Sequence, residues 1–283
     1  MARSISVRAL PVAFQGELGA FSHAAAQKLA GGRTRVLPCA SFRDVFEAVR
    51  TGTARAAVVP IENTLHGSVH ENYDHLLQYS FHIFGETSVR ISHQLITMPG
   101  VRFGDLRRVF SHPVALNQCR SFFQSHKQLE PVPFYDTAGS VKMLREQNPE
   151  AAGAIASETA AEIYGGVIRR RNIEDDPQNF TRFFLLSKQA ARSNRAPGAW
   201  KTSLVFSTAN SPGALFKAMA CFALREISLT KIESRPLRGK PWEYMFYLDF
   251  EGSMSDTHVQ RAIRNLAELS ESLKILGSYR PTP

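Results

Sequence analysis

Polar side chains that could do chemistry cluster at three places in the sequence, each beside an apolar run. The clusters are Glu62-Asn63-Thr64, Ser111-His112-Pro113 with Gln118, and Thr181 within Asn179–Phe184. Carboxylate, amide and hydroxyl groups on strand-end loops can hold a polar ligand in a fixed geometry. A structural role stays open for each cluster: an Asx-type turn with Glu62 in solvent, Ser111 as a helix cap, and Thr181 on an edge strand.

The segment around Thr181 predicts a strand over residues 180–186. Strand alternation would place Thr181 and Phe183 on one face and Arg182 and Phe184 on the other. A threonine flanked by aromatic side chains would be shielded from water, so its hydroxyl could hydrogen-bond a substrate oxygen. The sequence therefore predicts a hydroxyl donor on the Thr181 face.

Short apolar runs alternate with helical periodicity from Val7 to Ala156, which predicts an α/β fold with mainly parallel sheets. Ser41 with Asp44 predicts a capping box at the start of one helix. Ligands in such folds bind beyond the carboxyl ends of the strands. We therefore expect chemistry in the loops after Pro60, Phe110 and Ala156. The predicted strands are 7–14, 36–38, 54–59, 108–110, 132–135 and 152–156, and the predicted helices are 20–29, the one opened by Ser41, 69–79, 114–124, 137–145 and 157–164.

The C-terminal part of the sequence has its own pattern. Residues 189–199 have the composition of a linker. The following segments read strand (202–207), helix (212–224), strand (228–232), a turn at 238–241, strand (244–250), helix (256–269) and strand (273–277). This βαββαβ order predicts a ferredoxin-like plait. We predict an N-terminal domain over 1–190, a linker over 191–199 and a C-terminal domain over 200–283.

The composition is that of a packed globular protein, with 43% hydrophobic and 21% charged residues. The net charge of +9 is spread along the chain, which disfavours a nucleic-acid partner and suits an anionic small molecule. No stretch is long and apolar enough for a membrane span, and the charged N-terminus does not resemble a signal peptide. We therefore expect no membrane partner and a cytosolic location. The three cysteines, Cys39, Cys119 and Cys221, have no metal-ligand or disulfide spacing.

Seven segments, in this order along the chain, resemble the prephenate dehydratase family with a C-terminal ACT domain. They are GELGAFSHAAA (16–26), VVPIENTLHGSV (58–69), SHPVALNQC (111–119), AAGAIASETAAEIYG (151–165), NFTRFFLL (179–186), NSPGALFKAM (210–219) and LTKIESRP (229–236). The resemblance implies a catalytic half of two α/β subdomains of the type II periplasmic-binding-protein kind, with the active site in their cleft. It also implies that the plait is an ACT regulatory domain.

The resemblance also implies which residues act. Thr181 corresponds to the catalytic residue, and Glu62, Asn63, Ser111 and Gln118 surround the substrate. Further substrate contacts are implied for Ser22, Thr64, Arg182 and Phe183. An allosteric phenylalanine site at a subunit interface is implied for Asn210, Pro212, Gly213, Ala214, Leu215, Glu233, Ser234, Arg235 and Pro236. Paired ACT domains imply a homodimer or a homotetramer.

The implied reaction is the decarboxylative dehydration of prephenate to phenylpyruvate in L-phenylalanine biosynthesis, with feedback by phenylalanine. The implied chemistry needs no cofactor and no metal. Gln15-Gly16 and the segment 70–74 look more like arogenate dehydratases, so the conversion of arogenate to phenylalanine is the alternative reaction. A two-lobed small-molecule-binding module without catalysis is the alternative outside enzymes.

Overall fold

The computed structural model describes residues 10–32, 34–189, 199–237, 239–240 and 242–282. The chain divides into two compact units. The first runs to Tyr79 and continues from Thr87 to Phe184, and the second takes Ser80–Glu86 and the chain from Leu185 onward. The domain boundaries at 190 and 200 stay a prediction, because most of the predicted linker lies outside the described residues.

Helices and strands follow one another closely along the chain. In the first unit they are β1 (Val12–Gln15), α1 (Phe21–Ala30), β2 (Val36–Cys39), α2 (Phe42–Thr51), β3 (Ala56–Asn63), β4 (Gly67–Ser68), α3 (His70–Gln78), β6 (Gln94–Thr97), β7 (Arg108–Ser111), α4 (Pro113–Asn117), α5 (Arg120–Ser125), β8 (Glu130–Pro133), α6 (Thr137–Gln147), β9 (Ala152–Ala156), α7 (Glu158–Tyr164) and β10 (Val167–Arg170). The boundary between the units falls within β5 (His82–Arg90) and β11 (Phe180–Ser187). The second unit holds β12 (Lys201–Ser207), α8 (Ala214–Ala223), β13 (Leu229–Pro236), β14 (Tyr244–Glu251), α9 (Thr257–Leu269) and β15 (Ser272–Thr282).

The first unit contains parallel strands in two sheets, as predicted. Strand β1 pairs in parallel with β2 and β3, and β7 pairs in parallel with β8 and β9. Strand β6, which the sequence did not predict, pairs antiparallel with β9 and β10. Apolar side chains of both sheets are buried, among them Phe14, Val58, Leu95 and Ile155. The predicted α/β class is therefore confirmed.

Capping residues set where the helices of the first unit begin. The predicted capping box is present, because the Ser41 hydroxyl accepts from the backbone N–H of Asp44 and the Asp44 carboxylate accepts from that of Ser41. Asp136 caps α6 by accepting from the backbone N–H of Gly139, and Ser157 caps α7 by accepting from that of Ala160. Pro113 occupies the first position of α4. Local sequence therefore decides these helix starts.

Several predicted boundaries differ from the structure, and two of these differences concern segments that hold site residues. The helix predicted over 114–124 is broken into α4 and α5, because the carboxylate of Asp175 accepts the backbone N–H groups of Arg120 and Ser121 at 3.0 and 2.9 Å and so caps α5 from a distant segment. Strand β3 continues through Pro60 to Asn63. The missing N–H of Pro60 costs no ladder bond to β1, since the β1 pairing ends at Val58.

The second unit has the predicted βαββαβ order, and its sheet runs β13-β14-β12-β15. Helices α8 and α9 share a core with these strands, made of Leu204, Phe206, Phe222, Phe250 and Leu266 among others. The predicted turn at 238–241 lies partly outside the described residues. The βαββαβ segment of this unit is therefore a four-stranded antiparallel plait with two helices.

Buried polar contacts attach the segment Ser80–Glu86 to the second unit. The carboxylate of Glu86 accepts from Lys201 Nζ at 2.8 Å and from the Tyr279 hydroxyl at 3.2 Å. A charge buried in this way is stabilised by its partners. No helix in the described ranges is both long and apolar enough to cross a membrane.

We expect Gly19→Ala to lower the free energy of unfolding by about 2–4 kcal/mol. Gly19 has φ +89°, and a Cβ there would lie 2.6 Å from the Cα of Ala160. Urea unfolding followed by circular dichroism measures the change. Gly104→Ala is the matched control, because a Cβ at Gly104 meets nothing within 4 Å. Equal unfolding midpoints for the two variants would contradict the prediction.

Candidate active site

A cavity of about 580 Å³ lies in the first unit, beyond the carboxyl ends of parallel strands of both sheets. The loops after β1, β2, β3, β7 and β8 line it. Four helices of nine or more residues, α1, α2, α3 and α6, begin at these lining loops. Their first N–H groups carry partial positive charge, so the cavity suits an anionic ligand.

The amide of Asn63 donates to the Thr181 hydroxyl at the wall of this cavity, with Nδ2 2.9 Å from Oγ1. The orientation of the amide is set by its oxygen, which accepts the backbone N–H groups of Leu65 and His66 at 3.0 Å each. Asn63 therefore forms the Asx-type turn considered from the sequence, and the same turn aims its N–H groups at Thr181.

The hydroxyl of Thr181 is left as a donor by this contact. An N–H group occupies one lone pair of Oγ1, so the hydroxyl hydrogen cannot point at Asn63. Thr181 is 8% exposed and lines the cavity together with Phe183. The site therefore presents an O–H donor in a largely dry wall, as alternation along β11 predicted.

Two further residues hold the loop after β3 against β11. The Thr64 hydroxyl donates to the carbonyl of Gln178 at 2.9 Å and accepts from the N–H of Phe180 at 3.0 Å. The buried amide oxygen of Asn179 accepts from Asn63 at 2.7 Å. Thr64 was predicted to contact substrate, but its hydroxyl is engaged with backbone and it does not line the cavity.

Glu62 and Arg182 lie on the other face of β3 and β11. The guanidinium of Arg182 is 3.4 Å from the Glu62 carboxylate and stacks 5.2 Å from the ring of Phe184. Neither Glu62 nor Arg182 lines the cavity. Since neighbouring residues of a strand face opposite ways, the strand that presents Asn63 turns Glu62 away. Glu62 and Arg182, which were predicted as site residues, therefore lie outside the lining of this cavity.

Gln118 connects two histidines at the cavity. Its amide oxygen is 2.7 Å from Nε2 of buried His93, and its amide nitrogen is 3.2 Å from Nδ1 of His66. Nδ1 of His66 is also 3.2 Å from the amide oxygen of Asn63. Burial lowers the pKa of His93, so the neutral ring donates Nε2–H to Gln118. A line of polar contacts therefore joins His93 to Thr181.

The two predicted serines lie in different places. Ser22, in the first turn of α1, lines the cavity. Ser111 is fully buried, and its hydroxyl donates to the carbonyl of Ile155 at 2.6 Å. Ser111 therefore ties β7 to β9 and does not reach the cavity.

Most lining residues were not predicted as site residues, among them the titratable residues His66, His93, His112 and Asp136. Burial lowers the pKa of His112 and raises that of the Asp136 carboxyl. No lysine or arginine occurs among the described residues that line the cavity. In the sequence, only its position at the end of a strand indicated His112. Asp136 could be recognised as a helix cap, but nothing in the sequence indicated that it lines a cavity.

The residues predicted to bind phenylalanine meet at one end of the second unit's sheet. Ser207, the last residue of β12, pairs with Met245 of β14, which in turn pairs with Arg235 of β13. The loop after β12 and the end of β13 therefore lie at the same end. A cavity of about 790 Å³, lined by Lys201 and Glu251 among others, lies at the opposite end. The predicted residues at the first end are Asn210, Pro212, Gly213, Ala214, Leu215, Glu233, Ser234, Arg235 and Pro236.

A family model described as prephenate dehydratase matches residues 12–191. The chain belongs to the prephenate dehydratase family. The chloroplastic arogenate dehydratase/prephenate dehydratase 2 of Arabidopsis thaliana is 47% identical over 280 residues, which are 95% of this chain and 72% of that protein. Family membership identifies the chain as a lyase of the dehydratase type and not as a binding module without catalysis.

Two solved structures share the fold. The prephenate dehydratase of Arthrobacter aurescens in complex with L-Phe has a TM-score of 0.87 and 33% identity, covering 95% of this chain and 89% of its own. GqqA, described as a novel type of quorum quenching acylase, has a TM-score of 0.87 and 37% identity, covering 96% and 98%. The fold also occurs in a protein described as an acylase, so the fold alone does not assign the reaction.

The prediction of a cytosolic location is wrong by comparison with these relatives. Four Arabidopsis thaliana members of the family, 41% to 47% identical to this chain, are named chloroplastic.

We expect Asn63→Asp to lower the kcat for prephenate by about 100-fold or more, because the donor to the Thr181 hydroxyl is lost. The carboxylate still accepts from Leu65 and His66, but it draws the Thr181 hydrogen toward itself. Steady-state kinetics and thermal unfolding measure both effects. Asn117→Asp makes the same change outside the cavity and is expected to leave kcat unaltered. A fully active Asn63→Asp enzyme would contradict the orienting role.

Proposed function

We propose that the protein catalyses the decarboxylative dehydration of prephenate to phenylpyruvate, with Thr181 as the proton donor to the leaving hydroxyl. The observation that carries this proposal is the contact from Asn63 Nδ2 to Thr181 Oγ1, which leaves the threonine O–H directed into the cavity. The finer fold assignment is part of the proposal: two periplasmic-binding-like subdomains form the catalytic half, and the plait is an ACT domain.

The reaction needs little more than a donor held in place. The bond from the ring to its carboxylate breaks and releases carbon dioxide, and the electron pair moves through the ring to expel the para hydroxyl group. That group takes a proton from Thr181 and leaves as water, and Thr181 takes a proton back from solvent water when the products leave. Aromatisation drives the reaction, so the barrier lies in the poor leaving group. As the threonine oxygen gains negative charge, the Asn63 N–H stabilises it.

The carboxylates of the substrate meet the helix N-termini of the cavity. Prephenate carries two carboxylates, and α1 and α3 begin at lining residues with no side-chain cap on their first N–H groups. Ser22 and the amide of Gln118 add neutral donors at the wall. These groups bind the dianion without a lysine or arginine among the described lining residues.

Arogenate is the second candidate substrate, because its ring and leaving group are the same. It carries an ammonium group where prephenate carries a keto group. The lining contains Asp136, a carboxylate that suits an ammonium group and disfavours a further anion. Relatives named arogenate dehydratase, such as that of Petunia hybrida at 45% identity, support this alternative.

Phenylalanine is proposed as the allosteric ligand, bound in the second unit at the loop after β12 and the end of β13. The A. aurescens relative in complex with L-Phe supports this ligand. At that end Gly213 has φ +77° and begins α8, whose N–H groups suit a carboxylate. Leu215, 37% exposed, offers apolar surface to the phenyl ring. Pairing of plaits in a homodimer or homotetramer would let the ligand favour one subunit arrangement.

We expect Thr181→Ala to lower kcat by about 100-fold or more, since the proton donor is lost. The KM for prephenate should change little, because the hydroxyl is needed mainly as the C–O bond breaks. Thr181→Ser keeps the donor and is expected to retain much more activity. Formation of phenylpyruvate, followed by absorbance, measures all three enzymes. Near-normal turnover by the alanine variant would overturn the assignment.

We expect phenylalanine to inhibit turnover and Leu215→Asp to weaken its binding by about tenfold or more, since apolar contact is lost and a like charge faces the ligand carboxylate. Calorimetric titration measures binding, and inhibition curves measure its effect. Phe216→Asp is the control at the next position, where the side chain is 77% exposed. Equal weakening by both variants would place the phenylalanine site elsewhere.

A further inference from the structure

Asp136, the N-cap residue of α6, lines the cavity and is 8% exposed. Its Oδ1 atom accepts from the backbone N–H of Gly139 at 2.7 Å, which is the helix cap. Its Oδ2 atom lies beside Gly16, where a Cβ would approach it to 2.8 Å. The absence of a side chain at Gly16 therefore makes room for this second oxygen.

No lysine or arginine of the described residues forms an ion pair with Asp136. The charged groups that act on it are Glu17, which opposes its ionisation, and His112, which favours it. Burial is the main cause of the raised pKa of this carboxyl. Hydrogen bonds from the backbone of Gly139 and Ala138 offset part of the cost of burying this carboxylate. A cation on a ligand would offset more of it.

The two candidate substrates differ at one functional group. The side chain of prephenate bears a keto group, and that of arogenate bears an ammonium group at the same carbon. Arogenate therefore has one cation and two carboxylates, whereas prephenate has two carboxylates only. Helix N-termini serve the carboxylates of both substrates, so a lining carboxylate can distinguish them. The described lining holds two, Glu71 and Asp136, and of these Asp136 is buried whereas Glu71 is exposed.

We infer that Asp136 is a specificity-determining residue that binds the ammonium group of arogenate and makes arogenate the preferred substrate. This inference rests on the proposed dehydratase function, because it assigns a ligand group within the same cavity. The pair formed is a carboxylate with an ammonium group in a site shielded from water, where charge recognition is strong. Prephenate would place a keto oxygen, also an acceptor, against the same carboxylate.

The test is the ratio of kcat/KM for arogenate to kcat/KM for prephenate in wild type and in Asp136→Asn. Asparagine still accepts from Gly139 and is a good N-cap, so α6 is retained. We expect a ratio above one in the wild type. We expect the variant to lose roughly 30-fold or more on arogenate, as for a buried charge pair that loses one partner, and to keep or gain activity on prephenate. Asp136→Ser, another N-cap, gives the same test if the first variant unfolds.

Glu71→Gln is the control for a general effect of charge, because Glu71 also lines the cavity but is exposed. Its ratio should change by no more than about fivefold, the range for exposed charges. Equal losses on both substrates in Asp136→Asn, or an equal shift of the ratio in Glu71→Gln, would overturn the inference while leaving the dehydratase function in place. Turnover of neither substrate by the wild type would instead overturn the proposed function, and this inference with it.

Discussion

The amide of Asn63 joins the end of β3 to strand β11, and both its oxygen and its nitrogen are needed. Its oxygen accepts two backbone N–H groups of its own turn, which fixes the direction of the amide. Its nitrogen then donates to Thr181 and to the oxygen of Asn179. A turn that looks merely structural in the sequence therefore decides which way the Thr181 hydroxyl points. The structural and the functional interpretations of this cluster describe the same set of bonds.

The cavity attracts anions by a different means than the basic composition indicates. A net charge of +9 raises the concentration of anions near the protein, but the described lining residues include no lysine or arginine. Backbone N–H groups at the starts of α1 and α3, which have no side-chain cap, replace them. Fixed dipoles attract a carboxylate without adding a titrating cation to the site. A single carboxylate such as Asp136 can therefore influence which substrate is bound.

Much of this arrangement could be predicted from local sequence. Periodicity and caps located most helices of both units, and alternation along β11 separated Thr181 from Arg182. Alternation along β3 also separates Glu62 from Asn63, but the predicted strand ended before Pro60 and left both residues in a loop. Contacts between distant segments could not be predicted: Asp175 capping α5, Asn179 beside Asn63, and Gln118 between His66 and His93. They depend on folded geometry and have no period in the sequence.

A threonine is a weak acid, and the cavity explains why one would suffice as the proposed proton donor. A carboxylic acid in its place would need a strongly raised pKa to stay protonated, and once ionised it would repel the substrate carboxylates. A histidine cation would pair with those carboxylates as readily as with the leaving group. The threonine hydroxyl is neutral before it donates, and burial beside Phe183 keeps competing water away from it. Because aromatisation supplies the driving force, a neutral donor in a fixed direction is sufficient, and Asn63 sets that direction.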